Sequence, residues 1–183
     1  MPDYRRCRVA GGTFFFTVVT HGRRPILADE LGRSCLSRAM RQTRARHPFQ
    51  VIAMVLLPDH LHAVWSLPQG DQAYSRRWSR IKELFTQAYL TSGGTESVIS
   101  PSRSKHRERA IWQRRFWEHA CQDEDDLSRC VDYIHWNPVK HGLVECVKDY
   151  PWSTFHRHVR TGDYEEDWGR SDPSPPGFAG AWE

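Results

Sequence analysis

The sequence predicts an α+β domain of the ferredoxin-like, split βαβ kind. This is an antiparallel sheet with helices on one face, here followed by a C-terminal helix and an extended tail. Three observations carry that expectation. The hydrophobic period alternates between strand-like and helix-like in the order β-α-β-β-α-β and then helix. The two middle strands are separated only by Pro58-Asp59, a hairpin-length break. The 183 residues suit one domain with its own core, placed at residues 1–162, with residues 163–183 as an acidic, extended tail.

Each element has a local reason. Thr13–Thr20 (TFFFTVVT) is aromatic and β-branched and apolar on both sides, which marks a central strand. Arg23-Arg24-Pro25 ends it. Asp29 can cap a helix over 30–46, with Leu31, Cys35, Leu36 and Ala39 at helical spacing. Gln50–Leu57 and His60–Leu67 form the hairpin, because proline donates no ladder hydrogen bond and fixes its own φ. A second helix is expected over Tyr74–Leu90, with Ile81, Leu84, Phe85 and Ala88 inward. Residues 92–109 are polar, basic and contain glycine and serine, and read as a mobile loop able to order on a phosphate backbone. A fourth strand near Phe116–Ala120 should pair beside the first. Asp123 to Asp126 suit a helix N-terminus, and that helix is expected to stop at Asn137-Pro138. A last helix is expected over Ser153–Thr161, and residues 171–183 (SDPSPPGFAGAWE) read as extended.

Composition narrows the function. No apolar run is long enough for a membrane span, and the start lacks a signal-peptide core, so a cytoplasmic protein with no membrane partner is expected. The five cysteines (Cys7, Cys35, Cys121, Cys130, Cys146) are odd in number and contain no C-x-x-C pair. Neither a disulfide framework nor a cysteine-based zinc site is suggested. Residues 1–162 carry 25 Lys/Arg against 16 Asp/Glu, and residues 163–183 carry one against six. A basic body rich in arginine suits a polyanion, most simply nucleic acid.

The chemistry centres on Met54–Leu67 (MVLLPDHLHAVWSL). Strand side chains alternate, so His60 and His62 share one face while Leu61, Ala63, Trp65 and Leu67 share the other. Two imidazoles on a rigid strand are half of a metal site. On the helix after Asp123, Leu127, Val131 and Ile134 form the sheet-facing stripe, and Tyr133 and Asn137 lie one turn apart at its margin. If that helix covers the histidine face, His60, His62 and Asn137 can hold one divalent ion beside Tyr133. Such a site suits phosphodiester transesterification with a tyrosine nucleophile.

Two strings sharpen this. His60-Leu61-His62 after Leu56-Leu57-Pro58-Asp59 resembles the His-hydrophobic-His signature of HUH-superfamily single-tyrosine nucleases. Residues 133–143 (YIHWNPVKHGL) resemble the YIH-x-NPVK-x-GL signature of REP-associated tyrosine transposases, relatives of insertion-sequence transposases. Further echoes are Tyr4-Arg5-Arg6, Gly12-Thr13-Phe14-Phe15-Phe16-Thr17, residues 112–119 (WQRRFWEH) and Tyr150-Pro151-Trp152-Ser153, so the resemblance spans residues 4–158. The tail matches no known feature. The resemblance implies His60 and His62 as ligands of Mg2+ or Mn2+, Asn137 completing the site where relatives often carry Gln, and Tyr133 forming a 5′-phosphotyrosine and leaving a 3′-hydroxyl. It implies cutting and rejoining of single-stranded DNA near palindromic hairpins, by a monomer, with a homodimer sharing active sites as the alternative.

The DNA grip is expected from Arg5 and Arg6 in the lead-in, Arg41 and Arg44 on the first helix, and Arg76, Arg77 and Arg80 on the second. Lys105 and Arg107 in the loop, then Arg114, Arg115 and Lys140, extend it. Two other classes fit the same residues: a catalytically silent nucleic-acid-binding domain of this fold, and a metal hydrolase using activated water.

Overall fold

A computed structural model describes residues 9–106 and 108–169. Strands β1 (Thr13–Val19), β2 (Gln50–Leu56), β3 (His60–Ser66) and β4 (Trp117–Ala120) form one sheet in the order β2-β3-β1-β4, antiparallel throughout. Helices α1 (Glu30–Arg46) and α2 (Tyr74–Thr91) follow β1 and β3, a short α3 (Pro101–Lys105) precedes β4, and α4 (Glu124–Lys140) and α5 (Phe155–Thr161) close the described chain. This is the expected α+β sandwich, with the histidine strand in the middle of the sheet.

The two faces separate by strand alternation. Phe14, Phe16, Leu61, Ala63 and Trp65 pack under α1 and α2, with Leu36, Trp78, Ile81 and Phe85. Phe15, Val55 and Val64 face the other way and pack against Val131, Tyr133 and Ile134 of α4. Two helices therefore share one face, as expected, and α4 packs on the histidine face with Tyr150 and Tyr164 beside it. The caps are as read from the sequence: Asp29 accepts from the Gly32 amide, and Asp123 accepts from the Asp126 amide at 2.8 Å. Gly32 has no tolerable substitute, because a Cβ there would sit 1.9 Å from the Ile26 carbonyl oxygen.

The hairpin closes through Leu57 N–H donating to the His60 carbonyl at 2.9 Å. The open edge of β2 is covered by the Tyr150–Ser153 string. Leu56 N–H donates to the Trp152 carbonyl at 2.9 Å, and the Tyr150 hydroxyl donates to the Leu56 carbonyl at 2.6 Å. That string thus protects a sheet edge from stray pairing.

Three expectations are corrected. First, α4 does not stop at Asn137-Pro138 but runs through Pro138 to Lys140. Proline in the last turn forfeits a single helical bond, and the end is closed by His141 N–H to the Asn137 carbonyl at 3.0 Å and Leu143 N–H to the Pro138 carbonyl at 2.9 Å. Second, the segment 92–109 is not a featureless loop. Arg103 is buried and donates to the carbonyls of Arg109 and Trp112, and Glu96 pairs with Arg109. Third, packing continues past residue 162. Tyr164 donates to Asp132, and the Trp168 ring lies tilted against the Tyr164 ring with centres 4.7 Å apart. Residues 170–183, the rest of the expected tail, lie outside the described residues. No helix among the described residues is long and apolar enough to cross a membrane.

Candidate functional site

The imidazoles of His60 and His62 stand 4.9 Å apart, centre to centre, and both are buried. Each ring is oriented through Nδ1. His60 Nδ1–H donates to Asp59 Oδ1 at 2.6 Å, and His62 Nδ1 pairs with Thr17 Oγ1 at 2.9 Å. Thr17 is the cross-strand partner of His62, so the strand register itself supplies that contact. Asp59 is held in turn. Its carbonyl accepts the Thr20 amide and hydroxyl, both at 2.9 Å, and its Oδ2 takes Arg23 Nη1 at 3.1 Å. Arg23 occupies the left-handed region, at φ 50, unusual for a side-chain-bearing residue.

With both Nδ1 atoms engaged, both Nε2 atoms are left aimed elsewhere. His60 Nε2 and His62 Nε2 are buried and have no hydrogen-bond partner among the described residues. Burial holds His62 well below the usual imidazole range, helped by the charges of His60, His141 and Lys140. Burial also lowers His60, outweighing the pull of Asp59. Both rings are therefore neutral at pH 7, and because His60 Nδ1–H donates to Asp59 its lone pair lies on Nε2.

Helix α4 lies across this ledge. The Tyr133 ring is 5.3 Å from that of His62, and the His141 ring is 5.2 Å from that of His60. Asn137 lies one helical turn after Tyr133 and one before the C-cap His141. Its Oδ1 and Nδ2 are both buried without a hydrogen-bond partner among the described residues. An amide left so costs roughly 1–3 kcal/mol per unsatisfied group, which a native chain tolerates when something else fills the role. Two neutral imidazole nitrogens and an amide oxygen suit a divalent ion with positions to spare, and the donor set fits one. Tyr133 is 2% exposed, and Lys140 Nζ donates to its hydroxyl at 3.3 Å.

The structure thus brings His60, His62, Tyr133 and Lys140 together, with Asn137 one helical turn after Tyr133. Thr17, Asp59 and His141 join them unannounced. Asp59 was legible only as a turn residue, and Thr17 needed the strand register.

The expected DNA-gripping residues are dispersed. Arg41 and Arg44 line a groove of about 440 Å³ with Arg33, which stacks 4.0 Å from the centre of the Trp152 ring. Arg114 lines a larger one of about 680 Å³ with Lys82, Arg109 and Trp112. Arg80 pairs with Glu83, and Arg76, Lys105 and Arg115 are exposed. Arg77 is the exception and a correction: it is buried, its guanidinium holding Asp71 and the carbonyls of His47 and Pro48, so it cannot reach a phosphate in this fold. Arg5, Arg6 and Arg107 lie outside the described residues.

Comparison with known proteins shows the family of the chain. The chain is 43% identical over 170 residues to a putative REP-associated tyrosine transposase of Haemophilus influenzae, covering 92% of this chain and 94% of that protein. It is 43% identical over 168 residues to the REP-associated tyrosine transposase of Escherichia coli K12, covering 92% and 91%. Among solved structures, a REP-associated tyrosine transposase bound to a REP hairpin superposes with a TM-score of 0.78 at 41% identity, covering 95% of this chain and 96% of that one. No protein-family model matches.

Proposed function

Because this chain belongs to the family of REP-associated tyrosine transposases, we propose that it cuts and rejoins single-stranded DNA beside palindromic hairpins, with Tyr133 as the nucleophile. The observation that carries this is the Tyr133 ring set 5.3 Å from His62, over two buried imidazoles with unpartnered Nε2 atoms. A divalent ion, Mg2+ or Mn2+, held by His60, His62 and Asn137 would supply charge neutralisation at the scissile phosphate.

The chain's own residues do the rest. The Tyr133 oxygen bonds to phosphorus as the bond to the 3′ oxygen breaks. The phenolic proton is given up to solvent, and the departing 3′ oxygen takes one. Lys140, already donating to the Tyr133 hydroxyl, offsets the negative charge on the attacking oxygen. Asp59 and Thr17 keep both imidazoles in the tautomer that leaves Nε2 open. The phosphotyrosine conserves the bond energy, so a 3′-hydroxyl from another end can attack it and release Tyr133 unchanged. The near-complete burial of Tyr133 implies that DNA entry must first displace what covers its hydroxyl. Arg41, Arg44, Arg114 and Lys140 are proposed to hold the phosphate backbone.

The test is incubation of the purified chain with hairpin-bearing single-stranded DNA and Mn2+, followed by denaturing electrophoresis. A covalent protein–DNA adduct is expected, and Tyr133→Phe should abolish it while retaining hairpin affinity. Cutting by Tyr133→Phe would instead mark an activated-water hydrolase, and tight binding without cutting by the unaltered chain a silent binding domain.

A further inference from the structure

A second group of metal-binding side chains lies on the same face, at the opposite end of α4. His119 on β4 and Cys121 just beyond it are two residues apart in extended backbone, and so share a side. Asp126 and Cys130 are four apart on α4, one above the other. One donor atom from each of His119, Asp126 and Cys130 falls within 4.8 Å of the others. The Cys121 Sγ lies 3.9 Å from the Cys130 Sγ. In a tetrahedral site with Zn–S near 2.3 Å, two thiolate sulfurs stand about 3.8 Å apart.

We propose that Cys121, Cys130, His119 and Asp126 form a structural zinc site joining the edge strand β4 to the first turns of α4. Two sulfurs, an imidazole and a carboxylate are a complete four-ligand set for Zn2+, and thiolates select it over Mg2+ or Mn2+. The resting contacts fit a site waiting for a cation. His119 Nε2 meets Asp126 Oδ2 at 2.7 Å, and Asp126 Oδ2 also accepts the Gln122 amide at 2.9 Å, which fixes the carboxylate.

The bland alternative is an imidazole–carboxylate clasp between strand and helix, with two cysteines packed beside it. That reading accounts for His119 and Asp126 but gives the paired sulfurs no task. The zinc reading also gives the site a consequence. Cys130 is one turn before Tyr133, so an ion there fixes the helix that presents the tyrosine to the imidazoles.

The test is cobalt substitution of the full chain, reduced and stripped of metal. One Co2+ per chain is expected to give an intense thiolate-to-cobalt absorption in the near ultraviolet, bleached by Zn2+. The band should survive in the double variant His60→Ala/His62→Ala, which separates it from the imidazole ledge. It should be lost in Cys121→Ser and in Cys130→Ser, with Zn2+ affinity falling by more than the roughly 100-fold that loss of an outer-shell partner costs. Cys121 is only partly buried, so its serine variant should fold even where that of the fully buried Cys130 does not. Zn2+ should raise the Tm of the unaltered chain and leave that of Cys121→Ser where it was. Absence of the thiolate band in the reduced, unaltered chain, or its persistence in Cys121→Ser, would overturn the site.

Discussion

The two faces of one sheet have been put to opposite uses. Under α1 and α2, Trp65 stacks on Trp78 with ring centres 4.1 Å apart and sits 4.1 Å from Phe49 and 5.0 Å from Phe16. Under α4, the same strands turn Thr17, His60 and His62 inward, all buried. The first face also buries the indole N–H groups of Trp65 and Trp78, which have no hydrogen-bond partner among the described residues. Each of those comes with roughly 150–250 Å² of ring surface, so the cost of the N–H is offset many times over. The imidazoles and the amide of Asn137 bring little such compensation. The comparison teaches that β1 and β3 are stabilised from one side so that they can hold costly polar atoms still on the other.

Two perturbations should break the faces separately. The larger is Trp65→Ala, which empties the centre of the aromatic layer. Loss of a fully buried tryptophan typically costs about 3–5 kcal/mol, so urea unfolding should show a fall of that size, and cutting should vanish with the fold. The second is acid, acting on the α4 side. His135, on the far flank of α4 against Thr154 and His158, is pushed down to about 3, chiefly by burial and then by the charges of His158 and Arg157. The folded pKa lies below the unfolded 6.5, so the unfolded chain binds more protons as pH drops. Stability at pH 7 is unaffected and is lost as pH falls from about 6.5 towards 3, at up to about 1.4 kcal/mol per pH unit for this ring. Denaturation in EDTA between pH 7 and about 4.5 should show at least that slope, and His135→Gln should reduce it by this ring's share while His60 and His62 keep theirs. A chain equally stable at both ends of that range would mean these rings are not held neutral.

Much of this was legible because it depends on local rules. Asp29 and Asp123 announced two helix starts through capping chemistry, and period-2 alternation placed His60 and His62 on one side of β3. The YPWS string was legible as a motif but not as the cover on β2, because edge pairing is a long-range event. Arg77 misled for the opposite reason. Charge on a helix is normally solvated, and only the fold shows the carbonyls of His47 and Pro48 that a guanidinium fork must satisfy. The end of α4 misled because proline usually stops a helix. Its cost falls to one bond in the last turn, and Asn137 stays helical one turn after Tyr133. Cys121 and Cys130 lack the short spacing of familiar zinc motifs. Only the turn from β4 into α4 reveals that their sulfurs meet.

The smallest expected effect bears most directly on why the costly face exists. Asn137→Leu replaces a buried amide, with neither polar atom hydrogen-bonded among the described residues, by an apolar side chain of similar shape and better helix propensity. In EDTA the variant should be more stable than the unaltered chain by about 1 kcal/mol, since it removes a desolvated group and gains a few tenths in propensity. Added Mn2+ should then reverse the ranking. Binding to the folded state alone stabilises by about 2.7 kcal/mol at 100 times Kd, and the variant, short of one ligand, should gain much less. The measurement is a pair of Tm values, with and without Mn2+, for each chain. If Asn137→Leu is less stable than the unaltered chain even in EDTA, the amide has a hydrogen-bonding task within the fold itself. The contrast between a stabilising face and a face kept costly for function would then fail at that residue.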